Sequence, residues 1–385
     1  MLPDPWGGVR RLLAVRLDNI GDVVMLGPAL RAVRRALPDA EITLLASPAG
    51  TKVAPMLPWI DSVLTSRAVW QDASAALPLD PGRERELIEA IRTRGFDAAL
   101  IFTSFSQSPH PPAYACYLAG VPVRVGQSKE FGGSLLTHAV RPRPDGNHQV
   151  DRNLHLLESV GLPLAGRHLE LRVPAEVRAS ADRLLRSVGV DPGGPFVALA
   201  PGASCPARRY EPARFAAVAR GLFERTGLPI VVVGSDREAE LVGPILAANR
   251  PGSVVSLIGR LSLLELAAVV RRSALVLAND SGPMHLADAF GRPMVILFSG
   301  TELEEQWRPR GAPARLLRLP TDCAPCYAFR CPYQMECLDI PPRDVVAAAL
   351  DLLTAADAAA SAPQAGLNED RESGAFEESM GHTSV

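Results

Sequence analysis

The sequence predicts an α/β protein built from two doubly wound parallel-sheet domains, on three observations. The chain has 385 residues, which corresponds to roughly two domains of ordinary size. Short apolar runs alternate with stretches of helical periodicity, as in parallel strands joined by crossover helices. Pro174, Pro192 and Gly193-Gly194 cluster where a join is expected. We therefore expect an N-terminal domain over residues 1–175 and a C-terminal domain over residues 176–355.

The first half begins with an apolar run at 12–15, which has the length of a buried parallel strand. Apolar side chains then recur at helical spacing over 26–37. The pattern further predicts strands at 41–46 and 98–102 and helices at 84–94 and 151–162. Between 109 and 144, many prolines and glycines interrupt the pattern, so long loops are expected there.

The second half shows the same alternation more clearly. Strands are predicted at 196–200, 230–233, 275–278 and 294–298, and helices at 213–225, 238–248, 263–272 and 284–290. Pro212 stands at a helix start, where its missing N–H costs nothing. Ser262 and Glu265 have the spacing of a capping box, and Gly291 is placed to end the last of these helices.

Composition excludes several classes of protein. With 40 basic and 42 acidic side chains, the net charge of −2 argues against a dedicated nucleic-acid binder. No apolar run approaches the ~20 residues that span a bilayer. The N-terminus lacks the apolar core of a signal peptide, so we expect a cytoplasmic protein. Residues 356–385 have little to bury and are expected to form a disordered tail.

Several catalytic signatures are missing from the sequence. It contains neither a P-loop nor a glycine-rich dinucleotide fingerprint after a strand, and it has no H-E-x-x-H or G-x-S-x-G. No two aspartates are separated by a single residue, so the D-x-D device that holds a divalent ion in many sugar transferases is absent. Ligands are therefore expected in the cleft at the carboxyl ends of the strands.

The first candidate segment is the turn Asp18-Asn19-Ile20-Gly21-Asp22, between the first strand and a helix. Amides at a helix N-terminus accept anions or polarise substrates. Asp22 has two interpretations at this point. It could satisfy free N–H groups at the helix start, or it could act as a general base facing the cleft between the domains.

The second candidate segment is Pro201-Gly202-Ala203-Ser204 followed by Arg208-Arg209-Tyr210. A glycine loop at a strand end and paired arginines suit a diphosphate, because backbone N–H groups and guanidinium groups both complement phosphate oxygens. The alternative is a surface loop with solvated arginines.

The third candidate segment runs from Asn279 to His285, between a strand and a short helix. Ser281 and Gly282 would present amides at the helix N-terminus, with His285 one turn later. Asp280, Ser281 and His285 are too close in sequence to be an assembled hydrolase triad. A lone histidine in such a segment could equally be structural.

Together these segments resemble glycosyltransferase family 9, the ADP-heptose:lipopolysaccharide heptosyltransferases and their relatives. The similarity is carried by 13–24, 201–210, 257–266 and 279–287, and it covers roughly residues 10–350. The resemblance implies a GT-B fold, with two Rossmann-like domains facing a cleft. It places the acceptor on the N-terminal side and the nucleotide sugar on the C-terminal side. It also implies transfer without a metal cofactor, which agrees with the missing D-x-D.

The resemblance also assigns roles to individual residues. Asp22 matches the catalytic base of the family's G-D-V motif, and Asp18 and Asn19 stand on the acceptor side where many relatives have serine or threonine. Arg208 replaces the usual phosphate-binding lysine, with Arg209 beside it. The remaining donor-side matches are Asp280 for the sugar, Ser281, Gly282 and His285 for the diphosphate, Glu238 for the ribose, and Leu261 for the base.

The function implied is an inverting, metal-independent transfer of a sugar, heptose from ADP-heptose above all, to a lipopolysaccharide-core or other cell-surface glycan. Asp22 would deprotonate an acceptor hydroxyl as the nucleoside diphosphate leaves. A glycolipid acceptor would bring the enzyme to the inner face of the membrane. The alternatives on the same scaffold are a nucleotide-sugar epimerase or hydrolase and a non-catalytic nucleotide-sugar-binding protein.

Four cysteines, Cys323, Cys326, Cys331 and Cys337, form a C-x₂-C-x₄-C-x₅-C cluster. Four thiols at such short spacing can reach one tetrahedral zinc ion, although the last interval is looser than in standard sites. Buried or redox-active thiols are the alternative interpretation. In either case the cluster is expected to be structural and not catalytic.

Overall fold

The computed structural model describes residues 5–72 and 76–361. Its first half is a six-stranded parallel sheet with helices on both faces. The strands are β1 (Arg11–Arg16), β2 (Glu41–Ala46), β3 (Ser62–Thr65), β4 (Ala98–Ile101), β5 (Val123–Gln127) and β6 (His138–Val140). The α-helices are α1 (Ile20–Val24), α2 (Gly27–Ala36), α3 (Pro81–Arg94), α4 (His110–Leu118) and α5 (Gln149–Ser159).

The second half repeats this arrangement around another six-stranded parallel sheet. Its strands are β7 (Val197–Ala200), β8 (Ile230–Val232), β9 (Val254–Ser256), β10 (Leu275–Asn279), β11 (Met294–Leu297) and β12 (Ala314–Leu317). Its α-helices are α6 (Ala175–Ser187), α7 (Pro212–Thr226), α8 (Ala239–Ala247), α9 (Leu263–Arg272), α10 (Gly282–Ala289), α11 (Glu304–Trp307) and α12 (Pro342–Ser361). Among the described residues, no helix combines the length and apolar character needed to cross a membrane.

Both sheets have the strand order of a Rossmann fold. The first sheet runs β3-β2-β1-β4-β5-β6, and the second runs β9-β8-β7-β10-β11-β12. In each sheet the order reverses between the first and fourth strands, which leaves a crevice at their carboxyl ends. The predicted α/β class and doubly wound sheets are confirmed. Residues after β1, β4, β7 and β10 are therefore the ones that the fold places at a ligand site.

The two halves share one apolar core. Val23 and Val24 of α1 belong to the same buried cluster as Met284 and Ala287 of α10. Helix α6 packs against α9, where Ser180 Oγ donates to Glu265 Oε1 at 2.7 Å. The capping box predicted at the start of α9 is present. Because α1 and α10 each follow the central strand of a sheet, this contact brings the two crevices together.

Some elements differ from those predicted. The stretch 109–144, expected to be long loops, contains α4, β5 and β6. The prolines after His110 occupy the first turn of α4, where they are tolerated. Arg124 interrupts the apolar pattern of β5, yet it is buried because its guanidinium donates to the carbonyls of Val121, Ser134 and Leu135.

The elements β3, β9, β12 and α6 were also not predicted; α6 lies inside the segment expected to join the domains. Helix α12 extends to Ser361, which corrects the start of the expected disordered tail at 356. The rest of that tail lies outside the described residues. The boundary between residues 175 and 176 stays a prediction.

Candidate functional site

Asp22 lies in the first turn of α1, directly after β1, and both of its oxygens have partners. Oδ2 accepts from the Asn19 N–H at 3.1 Å, so the carboxylate does close the helix start. Oδ1 accepts from Arg16 Nη2 at 2.7 Å and from Ser104 Oγ at 3.4 Å. The Asp22 side chain is 13% exposed, so part of the carboxylate remains accessible to a ligand. The helix-start interpretation is therefore correct, and the geometry also suits a base.

The two residues predicted for the acceptor side have different positions. Asn19 is exposed at the start of α1. The side chain of Asp18 is only 7% exposed and pairs with Arg16 Nε at 2.7 Å. Gln71 and Gln107 also donate to its Oδ1. Asp18 thus lies beneath the surface of the site, held by protein groups, and does not present a free carboxylate to an acceptor.

Arg208 lies in the loop after β7, which Asn279 fixes against the end of β10. Asn279 accepts from the Tyr210 N–H at 3.0 Å and donates to the Pro201 carbonyl at 2.8 Å. The Arg208 guanidinium donates from Nε to Thr301 Oγ1 at 3.0 Å and from Nη2 to Glu302 at 2.6 Å, and its Nη1 lies 3.5 Å from Asp280.

The Arg208 side chain is 21% exposed. Burial alone would lower the pKa of its guanidinium, but the carboxylates of Asp280 and Glu302 raise it above its ordinary value. Arg208 therefore stays charged and is available to an anion from the cleft.

Asp280 and His285 form the buried floor of this side. Burial raises the pKa of Asp280, and its Oδ2 has no hydrogen-bond partner. Burial lowers the pKa of His285, against the pull of Asp280, Asp22 and Asp288, so the imidazole is neutral at pH 7. Ser281 is the N-cap of α10, and Gly282 is its first residue, facing Ile20 of α1. The helix N-terminus thus opens toward the first half.

Gly21 lies at a close contact between the two halves. A Cβ built at this residue would lie 2.4 Å from His285 Cδ2, so only glycine allows α1 to pack on α10 here. Because Asp22 is the next residue, this contact holds the carboxylate opposite the donor-side residues. Asp22 acts electrostatically on Asp280, His285, Arg208 and Glu302.

The residues predicted for the nucleoside are only partly brought together. Glu238 Oε1 lies against Gly202, where a Cβ would come within 1.6 Å. Its Oε2 accepts from the N–H and hydroxyl of Ser235. Arg209 donates to the Ala203 carbonyl at 3.3 Å, and its Nε is buried without a hydrogen-bond partner. Leu261 is half-buried before α9. The roles of these residues stay predictions.

Sequence reasoning missed several residues of the site. Arg16 ends β1 directly after the apolar residues 12–15, and Ser104 and Gln107 follow β4, far from Asp22 along the chain. Thr301 and Glu302 follow β11. The sequence contains one signal that could have located a residue of this group: a charged residue at the end of a central strand, which is Arg16.

The four cysteines lie in a loop that supports the site through its backbone, and their thiols are free. Among residues 5–72 and 76–361, no three His, Cys, Asp or Glu side chains are arranged to hold a metal ion, which does not support zinc binding, one of the two interpretations of the cluster. Cys323 is exposed and donates to Thr321, whereas Cys337 is half-buried, and burial raises its pKa. The backbone of this loop forms hydrogen bonds with Gly300, Thr301 and Ala207. It therefore supports the segment that contains Arg208 and the segment after β11 that Arg208 contacts.

Two Rossmann-type domains packed together, each with a crevice at the carboxyl ends of its central strands, have the architecture of the GT-B class of glycosyltransferases. A family model described as glycosyltransferase family 9 (heptosyltransferase) matches residues 84–336. The chain therefore belongs to glycosyltransferase family 9.

Individual relatives agree with this assignment. The chain is 26% identical to lipopolysaccharide heptosyltransferase 2 of Salmonella typhimurium over 325 residues, which are 81% of this chain and 88% of the relative. The structure of E. coli ADP-heptose lipopolysaccharide heptosyltransferase II matches with a TM-score of 0.71 and 23% identity, covering 90% of this chain and 99% of that one. A family 9 glycosyltransferase from Veillonella parvula matches with a TM-score of 0.72 and 23% identity, covering 90% and 97%.

The packing at Gly21 leads to a first prediction. Gly21→Ala should lower stability by about 1–3 kcal/mol, the usual cost of overpacking, and should also lower turnover, because α1 must move away from His285 with Asp22 on it. Gly243→Ala is the matched control, since a Cβ there meets nothing within 4 Å and should leave turnover unchanged. Thermal melts and steady-state rates measure both effects. Wild-type turnover in Gly21→Ala would show that this contact does not position Asp22.

Proposed function

We propose that the protein is an inverting, metal-independent heptosyltransferase that moves heptose from ADP-heptose to a lipopolysaccharide-core or other cell-surface glycan. The observation that carries the proposal is the position of Asp22 on α1, which packs against α10, and from which its charge acts on Arg208 and Asp280. One side offers a base to an acceptor hydroxyl, and the other offers positive charge to a diphosphate.

The reaction is a single displacement. Asp22 takes the proton of the acceptor hydroxyl while that oxygen attacks the anomeric carbon of the donor. The bond from the anomeric carbon to the phosphate oxygen breaks, and the nucleoside diphosphate leaves from the opposite face, which inverts the configuration. Arg208 and the amides of Ser281 and Gly282 stabilise the charge that develops on the diphosphate.

The donor lies on the second half in this proposal. Arg208 takes the distal phosphate, and Asp280 receives a sugar hydroxyl; its buried Oδ2 makes no hydrogen bond and has only the 3.5 Å ion pair with Arg208 Nη1. Glu238 lies beside the glycine loop, where a ribose diol would accompany the diphosphate. Leu261 contacts the base, and Arg209 adds positive charge. The names of the relatives support a heptose donor and a lipopolysaccharide acceptor. Such an acceptor would place the enzyme in the cytoplasm at the inner face of the membrane.

Mass spectrometry of nucleotide sugars incubated with and without an oligosaccharide acceptor tests the proposal. A transferase consumes ADP-heptose only when acceptor is present and yields ADP and a heptosylated product. Consumption of donor without acceptor would point instead to an epimerase or hydrolase, and binding without consumption would point to a nucleotide-sugar-binding protein. Either result would overturn the proposed function.

A second prediction concerns metal ions. Transfer should survive EDTA with little change in rate, because Arg208 and the helix N-terminus supply the positive charge that a divalent ion provides elsewhere. Initial rates should be taken well below the melting temperature, so that any effect of the chelator on the cysteine loop is kept separate. Loss of activity with the fold intact, and its rescue by Mg²⁺, would contradict the metal-free mechanism.

A further inference from the structure

Arg16 ends β1 with a side chain that has no exposure to solvent. Its Nε pairs with Asp18 at 2.7 Å, and its Nη2 pairs with Asp22 at 2.7 Å and donates to Ser104 Oγ at 2.9 Å. A single buried guanidinium thus joins two carboxylates, and one of them is the proposed base.

Stability does not explain this arrangement. Buried ion pairs contribute little net stability, and apolar residues of similar volume often replace them without loss. In addition, Nη1 of Arg16 is buried without a hydrogen-bond partner, which is costly. A polar cluster at the end of a central strand, where the fold places its ligand site, points to function.

Asp18 also has several hydrogen-bond partners within the protein. Its Oδ1 accepts from Gln71 Nε2 at 2.7 Å and from Gln107 Nε2. Gln107 Oε1 in turn accepts from the Ser104 N–H at 2.9 Å, and Ser104 Oγ contacts both Arg16 and Asp22. The polar groups therefore form a closed ring that fixes Asp18, Arg16 and Asp22 relative to one another.

We infer that Arg16 and Asp18 are positioning residues that hold the Asp22 carboxylate in place and set its strength as a base. The inference rests on the proposed role of Asp22 in proton removal. Arg16 sets the orientation of Asp22, and Asp18 offsets the charge of Arg16. With Asp18 ionised, one positive charge is shared between two carboxylates, and Asp22 remains a useful base. With Asp18 neutral, Arg16 acts on Asp22 alone and weakens it.

The pKa of Asp18 lies above its ordinary value, because burial outweighs the groups that stabilise its ionised form. Burial raises the pKa of Asp18, and the nearby Asp22 adds to that rise. Arg16 and the hydrogen bonds from Gln71 and Gln107 lower it. Arg16 lies 2.7 Å from each of the two carboxylates, so the charge on Asp18 changes how strongly Arg16 acts on Asp22. The inference therefore predicts how the pH profile of the rate responds when either the charge of Asp18 or its hydrogen bonds are changed.

Other charged groups also face Asp22. From the second half these are Asp280, Glu302, Arg208 and His285. From the first half, Arg152 acts on Arg16. All of these groups remain unchanged in the variants of residues 18 and 71 that are compared.

The test is the pH dependence of kcat/KM for ADP-heptose with saturating acceptor. In Asp18→Asn the acid limb should move to lower pH by about one unit, because a negative charge near Asp22 is lost. The plateau should fall about threefold to tenfold, because a carboxylate of lower pKa is a weaker base. The affinity for the donor should stay within twofold of the wild-type value, because Asp18 lies in the first half and the donor is proposed to bind the second half.

Gln71→Leu should move the profile in the opposite direction. It leaves the carboxyl of Asp18 in place but removes one donor that stabilises its ionised form, so the pKa of Asp18 rises. Asp18 then becomes neutral at a higher pH, so the loss of rate that follows its protonation should begin at a higher pH than in the wild type. Asp18→Asn lacks this step and keeps only the protonation of Asp22. Gln71 is half-buried in a short helical turn, so this variant is informative even where Asp18→Asn fails to fold.

Asp97→Asn is the matched control. Asp97 accepts from the N–H groups of Arg10 and Arg11 at the opposite end of β1, and its replacement should leave the profile unchanged. Rate losses in both test variants without opposite shifts of the acid limb would overturn the inference. An active Asp22→Asn enzyme would instead overturn the proposed base, so the two failures are distinguishable.

Discussion

Asp22→Asn should turn over at least ~10²-fold more slowly than the wild type while binding the donor within a few-fold of wild-type affinity. A base acts in the transition state, so its loss lowers kcat and not ground-state binding. The amide keeps the shape of the carboxylate but has a single oxygen, which can accept from Arg16 or from the Asn19 N–H and not from both. The contact of Gly21 with His285 does not involve this side chain.

Single-turnover rates with saturating donor and acceptor measure this effect, and calorimetric titration with ADP measures donor-side binding. Asp288→Asn is a suitable control, because Asp288 accepts backbone N–H groups at Arg310, Gly311 and Ala312 and is not assigned a role in transfer. Its kcat should stay near the wild-type value. Near-normal turnover in Asp22→Asn would remove Asp22 from the role of base.

The residues that sequence motifs located are those that directly follow central strands. Asp22 follows β1, Arg208 follows β7, and Asp280 follows β10. Apolar runs locate such strands well, and a turn with glycine and a carboxylate next to them is visible without a structure. The doubly wound fold then places these turns at the carboxyl ends of the central strands of the two sheets, where the sequence predicts the site.

Residues whose importance depends on the tertiary structure could not be predicted in this way. Arg16 and Ser104 are 88 positions apart, and Arg208 and Glu302 are 94 positions apart, yet each pair shares a hydrogen bond. Nothing local distinguishes Ser104 or Glu302 from a surface residue. Only the strand order, which places β4 beside β1, brings Ser104 to Asp22.

The elements missed in the first half have a related cause. The pattern of β5 is broken by Arg124, whose charge predicts exposure. In the folded chain its guanidinium instead donates to carbonyls of neighbouring loops and lies over the ring of Tyr117. A buried arginine of this kind needs partners from several segments, and those partners become visible only after folding.

Arg208→Ala should weaken binding of ADP by roughly 1.5–3 kcal/mol, the range for a charge-assisted hydrogen bond, which is about a 10- to 150-fold rise in Kd. The structure favours the upper part of this range. Glu302 and Asp280 both pair with Arg208, so its removal leaves two carboxylates facing the incoming diphosphate. Arg208→Lys restores the charge and should recover most of the affinity. Arg220→Ala, which alters a guanidinium bonded to the Ala248 carbonyl, should have no effect.

The comparison of ADP with AMP decides where the arginine acts. AMP lacks the distal phosphate, so its Kd should change less than twofold in Arg208→Ala, and an equal loss for both nucleotides would show that Arg208 does not hold that phosphate. The double variant Arg208→Ala/Glu302→Gln separates the two parts of the loss. If repulsion by Glu302 contributes, the double variant should bind ADP more tightly than Arg208→Ala alone. If the loss is only the missing hydrogen bond, the two variants should bind equally, and Glu302 then has no part in admitting the donor.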